Sequence, residues 1–467
     1  MDNKIDVAKS GHDAGIFDKE AVASRLKENH PLISGHQQRC SEWFTGAGLG
    51  LFICLDHASQ QGIEMSWPML GDVNFALPLG GLVTVDQYRS TESTFNPTSW
   101  NPKDFLQKAK DAGCKYAVFT AKHHSGWAIW PSQYGDRNIT SSPFHSTGRD
   151  ILREYVDAAR EVGIKVGIYY SLSDWGHKDY LAWKDEYRPY IFGTSPPIGD
   201  QDQWENFRQY TKDQLTELLT EYGPVDLLWF DGAWERSDET WNSKDFGDHI
   251  RSISPNTLIN DRLFTQGDYR TPEQWIPAKP LNEPWECCMT INYSWAYVPS
   301  DKTYKSTYEI LRTLIEVVSR GGNLLLNVGP KPDGTLASEE AQTLDDLAVW
   351  MKVNKESIEN VTPGLEDWQY YGPSTQRGDI VYLHNFALPQ ESVVVRGVKV
   401  ARLKSAKMLG SSEELTFTRR TAIHDAEMPD PDGEIIIDVR GKKVSGLMPI
   451  LILDFSGDPS SIEIRNW

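Results

Sequence analysis

The chain has 467 residues and a formal charge of −19 at pH 7, with 24% charged and 39% hydrophobic residues. That length exceeds a single ordinary core and implies two or three domains, while the acidic balance argues against nucleic acid and anionic membrane surfaces as partners. No stretch of about 18 consecutive apolar residues is present to span a bilayer, and the opening "MDNKIDVAKSGHDAG" has no apolar signal region. The expected location is therefore cytoplasmic, or periplasmic or secreted if a leader peptide has been removed. Five cysteines, two of them adjacent (Cys287 and Cys288), show no metal-ligand spacing and fit a reduced protein better than a disulfide framework.

Residues 1–40 read as a polar extension. "GLGLFICL" (Gly48 to Leu55) is the first predicted strand, followed by Asp56 and His57, and then by Glu64 and Trp67 in "GIEMSW". "WNPKDFLQKAKDAG" predicts a helix with Asn101 as its cap and Pro102 in its first turn. "KYAVFTA" (Lys115 to Ala121) is the next buried strand and runs into Lys122, His123 and His124. "GRDILREYVDAAREVG" puts Ile151, Tyr155, Ala159 and Val162 on one helical stripe. "KVGIYYSL" (Lys165 to Leu172) carries Tyr169 and Tyr170 and leads to Asp174 and Trp175. An amphipathic helix over "DQWENFRQYTKDQLTELLTEYG" feeds "VDLLWFDG", in which an apolar run ends on Asp231. "TLINDR" then presents Asp261 and Arg262, "GDYRTPEQWIP" is a loop bearing Glu273, and "ECCMTI" opens on Glu286. A helix around "YEILRTLIEVVSRGG" and the strand "NLLLNVG" complete the series.

Alternating helices and near-continuously apolar strands imply a parallel sheet covered by helices. The number of units fits an α/β fold of the irregular (β/α)₈ TIM-like barrel type over 41–364. From about residue 365 the texture becomes short strands separated by turns ("GDIVYLHNFA", "GEIIIDVRG", "MPILILDF"), which predicts a C-terminal β-sandwich domain over 365–467. No G-x-G-x-x-G or P-loop follows a strand, so nucleotide binding has no support.

In a barrel, chemistry comes from the C-terminal ends of strands. Asp231 is the sharpest candidate, a carboxylate ending an apolar strand between Trp229 and Trp234, with Gly232 expected to leave room for a substrate. A retaining glycosidase needs a second carboxyl about 5–5.5 Å from the first. Glu273, on a loop that can reach a leaving group, is favoured over Glu286, whose strand-start position suits an orienting role. His123 and His124 are neighbours on an extended segment, so their side chains are expected to point opposite ways and not to share a metal. Hydrogen bonding to sugar hydroxyls is the better use for them. Seventeen tryptophans and nineteen tyrosines, several beside polar residues, also suit flat sugar rings.

"LLWFDGAW", "KHHSGW", "GIYYSLSDW", "GDYRTPEQWIP", "PWECCMTINYSWAY" and "GGNLLLNVGPKPDG" together resemble glycoside hydrolase family 29, the α-L-fucosidases, from about residue 45 to 355. The resemblance implies an irregular barrel followed by a β-sandwich, and a retaining double displacement that uses no metal or cofactor. It implies Asp231 as nucleophile, Glu273 as acid/base with Glu286 as the competing glutamate, and a fucose pocket lined by His123, His124, Tyr170, Trp229, Arg262 and Glu64. Trp67 and His57 are added from their placement after the first strand. The implied partner is a fucosylated oligosaccharide or glycoconjugate, with oligomeric state left open. One departure stands out. Where the family reads F-[IV]-H-W-G, this chain has Cys54, Leu55 and Asp56, so a glycone hydrogen bond is lost or is supplied by Asp56 or His57.

Two other classes compete. One is a metal-dependent barrel hydrolase using His123, His124, Asp174 and Asp231. The other is a sugar-binding homologue with little catalysis.

Overall fold

The computed structural model describes residues 37–40, 43–70, 83–180, 201–442, 446–457 and 459, so most of the expected polar extension lies outside the described residues. Seven parallel strands form one sheet: β1 (Leu49–Ile53), β2 (Tyr116–Lys122), β3 (Lys165–Ser171), β4 (Leu227–Asp231), β5 (Leu258–Ile259), β6 (Glu286–Thr290) and β7 (Asn323–Val328). Their order is β5-β4-β3-β2-β1-β7-β6. Parallel bridges from Tyr269 to Asn260, Arg270 to Trp285 and Glu273 to Cys288 run the intervening segment alongside both edge strands. This irregular connection closes the ring, and it carries Glu273 to the strand-end rim.

The strands are buried along almost their whole length because helices cover them outside and side chains fill the interior. Gly50 on β1 makes room for the Tyr116 ring, since a Cβ there would lie 2.4 Å from it. The first covering helix begins on the predicted cap, and the second on a cap seen in the structure. Asn101 caps Pro102–Asp111 through the Asp104 amide, and Asp150 caps Ile151–Val162 by accepting from the Leu152 and Arg153 amides at 3.0 Å. The predicted "TLINDR" strand shrinks to two residues, followed by a 3₁₀ segment Asp261–Gln266. Here the Asn260 carboxamide pairs with the Phe230 amide and carbonyl, both at 2.9 Å. A side chain thus replaces a rung of the ladder and frees the backbone to turn, which aims Arg262 back over the barrel mouth.

Beyond the barrel lie a five-stranded antiparallel sheet and a three-stranded one. The first comprises β8 (Thr362–Pro363), β9 (Ser374–Arg377), β10 (Ile380–His384), β12 (Leu403–Met408) and β15 (Ile450–Phe455); the second comprises β11 (Ser392–Lys399), β13 (Phe417–Thr421) and β14 (Asp432–Asp438). Strand alternation separates the two faces of the larger sheet. Val381, Leu383, Leu451 and Leu453 pack with Val393, Val395, Ile435 and Ile437 of the smaller sheet, while Tyr382, Ile450 and Ile452 join the barrel core. Among the described residues no helix is long and apolar enough to cross a membrane.

Candidate active site

Asp231 ends β4 at the barrel mouth and is largely buried. Its Oδ1 accepts from Arg262 Nη1 at 2.7 Å and its Oδ2 from the Tyr169 hydroxyl at 2.8 Å, with His124 Nε2 3.8 Å away. Burial alone would push its pKa up, but the Arg262 charge and the hydrogen bonds from Arg262 and Tyr169 outweigh it, and the carboxyl stays below its usual range. The magnitudes agree: ionising a buried carboxylate costs several kcal/mol, and one adjacent guanidinium returns about 4 kcal/mol at an effective dielectric of about 20. The group is therefore an anion held by fixed donors.

Arg262 also donates from Nη2 to Glu273 Oε2 at 2.7 Å. One guanidinium thus spans the two carboxylates, lying over the Trp229 ring with its carbon 4.5 Å from the centroid. The Glu273 side chain is 42% exposed, which suits a group that must meet a leaving oxygen at the rim.

His123 and His124 do not point apart. Their ring centroids are 4.0 Å from each other. The β2–β3 register slips between Thr120 and Lys122, which turns Lys122 outward to pair with Tyr170 and breaks the strand alternation before the histidines begin. His123 bonds Ser66 Oγ through Nδ1 at 2.7 Å and stacks on Tyr169. His124 Nδ1 lies 2.6 Å from Ser171 Oγ. The Ser171 hydroxyl donates to the Ser173 carbonyl at 2.8 Å. The tautomer assigned from this network puts the proton of His124 on Nδ1 and turns an Nε2 lone pair toward the site. Burial lowers the pKa of both rings, that of His124 to about 4, so both are neutral near pH 7.

The register of β3 with β4 corrects the expected tyrosine. Tyr170 is buried on the outer side, where its hydroxyl accepts from Lys122 Nζ at 2.8 Å and donates to Gln214 at 2.8 Å. Tyr169, paired in register with Trp229, faces Asp231. Strand alternation assigns neighbours to opposite faces but does not say which one faces inward. Lys122 is itself buried, with its pKa lowered to about 8 by burial against the pull of Asp174. Asp174 thus faces Lys122 and Tyr210 and does not join the two histidines at Asp231.

Two further candidates sit elsewhere than expected, and Glu286 keeps the strand-start place that suited an orienting role. His57 is sealed between Tyr88 and Trp127, with Nδ1 on Thr91 at 2.8 Å. Asp56 caps the following turn through the Ala58 amide at 2.7 Å, so neither replaces a glycone contact at Cys54. Glu286 is 0% exposed inside the barrel, accepting from the Tyr116 hydroxyl and from Trp229 Nε1, and it does not reach the rim. The space expected beside Gly232 is also filled: a Cβ there would lie 2.2 Å from Ser173 Oγ, and the glycine serves a left-handed turn at φ 76°.

Glu64 does stand near the mouth. It accepts from the Trp295 amide at 2.6 Å and the Ala296 amide at 3.4 Å, which ties the loop after β6 to the loop after β1. Burial raises its pKa to about 7 against those backbone bonds. Trp67, Trp175 and Trp234 pack around His124 as an aromatic wall. The pocket thus joins an ionised carboxylate, a shared arginine, two neutral imidazoles, an exposed carboxyl and indole faces.

Removing the Tyr169 hydroxyl checks this electrostatic account. Tyr169→Phe deletes a donor that lowers the Asp231 pKa, so that pKa rises and the acid limb of kcat/KM moves to higher pH. The loss at the optimum is about tenfold or more for a hydrogen bond to a charged group. A pH–rate profile with an unmoved limb would contradict it.

Residues 17–356 match the family model described as Alpha-L-fucosidase. A tissue alpha-L-fucosidase from Macaca fascicularis is 32% identical over 318 residues, 64% of this chain and 64% of that protein; the chain thus spans a little less than two thirds of this relative. Among solved structures, alpha-L-fucosidase isoenzyme 1 from Paenibacillus thiaminolyticus superposes with a TM-score of 0.77 at 29% identity, covering 90% of this chain and 99% of that one. A Bacteroides thetaiotaomicron alpha-L-fucosidase, solved as a trapped covalent intermediate with 2-fluoro-fucosyl fluoride, gives a TM-score of 0.74 at 25% identity over 92% of this chain and 98% of that one.

Proposed function

The chain belongs to the alpha-L-fucosidase family, and from that premise we propose that it releases terminal α-L-fucosyl residues from fucosylated oligosaccharides or glycoconjugates by a retaining double displacement, with Asp231 as nucleophile and Glu273 as acid/base. The observation that carries this reading is the single guanidinium of Arg262 held between a buried anionic carboxylate and a rim carboxyl.

In the first step an Asp231 oxygen attacks the anomeric carbon and forms an ester. The glycosidic C–O bond breaks, and the Glu273 proton passes to the departing oxygen. The transition state carries positive charge on the sugar, and the neutral rings of His123 and His124 accept sugar hydroxyls without opposing it. Having given up its proton, Glu273 is then the carboxylate that takes a proton from the attacking water in the second step, as the ester to Asp231 breaks and the sugar is released. Trp67 and Trp234 supply apolar faces for the sugar ring.

A second reading has one specific observation behind it: ligand atoms of His123, His124 and Asp231 lie within 4.8 Å of one another, close enough to surround a cation. Against it, both Asp231 oxygens already accept from protein donors, one of them cationic. Both readings are tested by assaying a panel of aryl α-L-fucosides and galactosides, with product configuration followed by proton NMR, before and after treatment with EDTA. The expected result is α-L-fucose as first product and a rate unchanged by chelation. Inverted product would remove the double displacement, and loss on chelation with recovery on adding zinc or manganese would favour the metal.

A further inference from the structure

We propose that Glu286, sealed inside the barrel, is a positioning residue for this reaction: it locks the Trp229 indole on which both donors to Asp231 rest. The inference builds on the assignment of Asp231 and Glu273 above.

One Glu286 oxygen accepts the Trp229 Nε1 proton at 2.8 Å and the other meets the Tyr116 hydroxyl. Tyr116 lies at the start of β2 and Trp229 in the middle of β4, so the carboxyl crosses the barrel interior to join two strands that are not adjacent. Glu286 is fully buried, and Phe52 packs 5.2 Å from the Trp229 ring it holds. A carboxyl there is costly to bury, and burial raises its pKa to about 7. An apolar side chain of similar size would fill the volume with less desolvation, but it would not fix the edge of an indole. Only an acceptor can do that.

Trp229 is the element to fix. Arg262 lies over its face at 4.5 Å, and Tyr169 stacks on it with centroids 5.5 Å apart and planes 20° from parallel. Among the described residues Arg262 and Tyr169 are the two hydrogen-bond donors to Asp231, and Arg262 also holds Glu273. One buried hydrogen bond therefore sets the plane on which both supports of the nucleophile lie. Glu286 touches none of the reacting atoms and acts through Trp229.

The test uses the full chain and an activated aryl α-L-fucoside, with kcat/KM followed against pH for Glu286→Leu, Glu286→Gln, Trp229→Phe and the Glu286→Leu/Trp229→Phe double variant. Glu286→Leu is expected to lower kcat about tenfold, the scale of one buried hydrogen bond. It should also move the acid limb of kcat/KM to higher pH, because Asp231 loses the alignment of the donors that keep it ionised. Glu286→Gln, whose amide oxygen still accepts the indole proton, should recover most of the loss. Trp229→Phe keeps a ring and removes the N–H, so it should reproduce the limb shift, and the double variant should add nothing. If Glu286→Leu does not fold, Trp229→Phe and Glu286→Gln still decide the matter. An unmoved acid limb or additive losses would reduce Glu286 to a core residue, and azide rescue of Glu286→Leu would place it at the substrate. Either result overturns the proposal. Failure of the underlying mechanism reads out separately, as 2-fluoro-fucosyl fluoride labelling wild-type protein at a residue other than Asp231.

Discussion

Asp231→Gly is expected to abolish turnover of α-L-fucosides, with kcat reduced by roughly 10⁴-fold or more, the scale seen when a covalent nucleophile is removed. Among the described residues, the other carboxyl paired with Arg262 is Glu273 at the rim, and Glu286 is sealed beneath Trp229, so neither is placed to take over the attack. Deleting the side chain leaves a void beside Arg262 and Tyr169, both still set to hold an anion. Azide entering that void would attack the anomeric carbon once and yield the β-fucosyl azide from an activated substrate. Detection of that inverted azide, together with loss of 2-fluoro-fucosyl labelling at Asp231, is the measurement. Turnover within about tenfold of wild type would remove Asp231 from the nucleophile role, since covalent catalysis cannot be lost so cheaply.

Glu273→Gln is expected to separate substrates by leaving group. Natural glycosides and alkyl fucosides need a proton on the departing oxygen and should slow by about 10²–10⁴-fold, the range for a lost general acid. Aryl fucosides with acidic phenols need little protonation, so their first step should be nearly preserved while the second, which needs the base, becomes limiting. A pre-steady-state burst and a fall in KM follow from accumulation of the fucosyl ester. Azide should accelerate the second step and give the α-azide, since it displaces Asp231 after one inversion has already occurred. Uniform loss across leaving groups, without azide rescue, would return Glu273 to an ion-pair role beside Arg262.

Much of this was legible in the residues. Apolar runs ending on charged groups, the cap at Asn101, and the change in texture near residue 365 have local causes, and those causes act the same way in the folded chain. The place of Asp231 at the end of a buried strand was also legible, because the apolar run stops on it. Glu273 and Glu286 could be told apart only in part. Both follow turns, and the sequence carries no record that the 269–273 segment runs parallel beside β6, which lifts Glu273 to the rim and leaves Glu286 below.

By itself, the sequence determined the alternation of strands and helices, the β-rich C-terminal segment and the residue types gathered at the strand ends, because periodicity, capping and turn chemistry are properties of neighbours in the chain. The tertiary structure alone decided which face each of those residues presents. A single register slip at Thr120–Lys122 sends Lys122 outward and brings His123 and His124 together at the mouth, the pairing of β3 with β4 turns Tyr169 inward and Tyr170 outward, and the closed ring puts Glu286 in contact with a tryptophan 57 residues away. Hydrogen-bond register between strands distant in sequence sets these outcomes, and a shift of one residue reverses every side chain that follows.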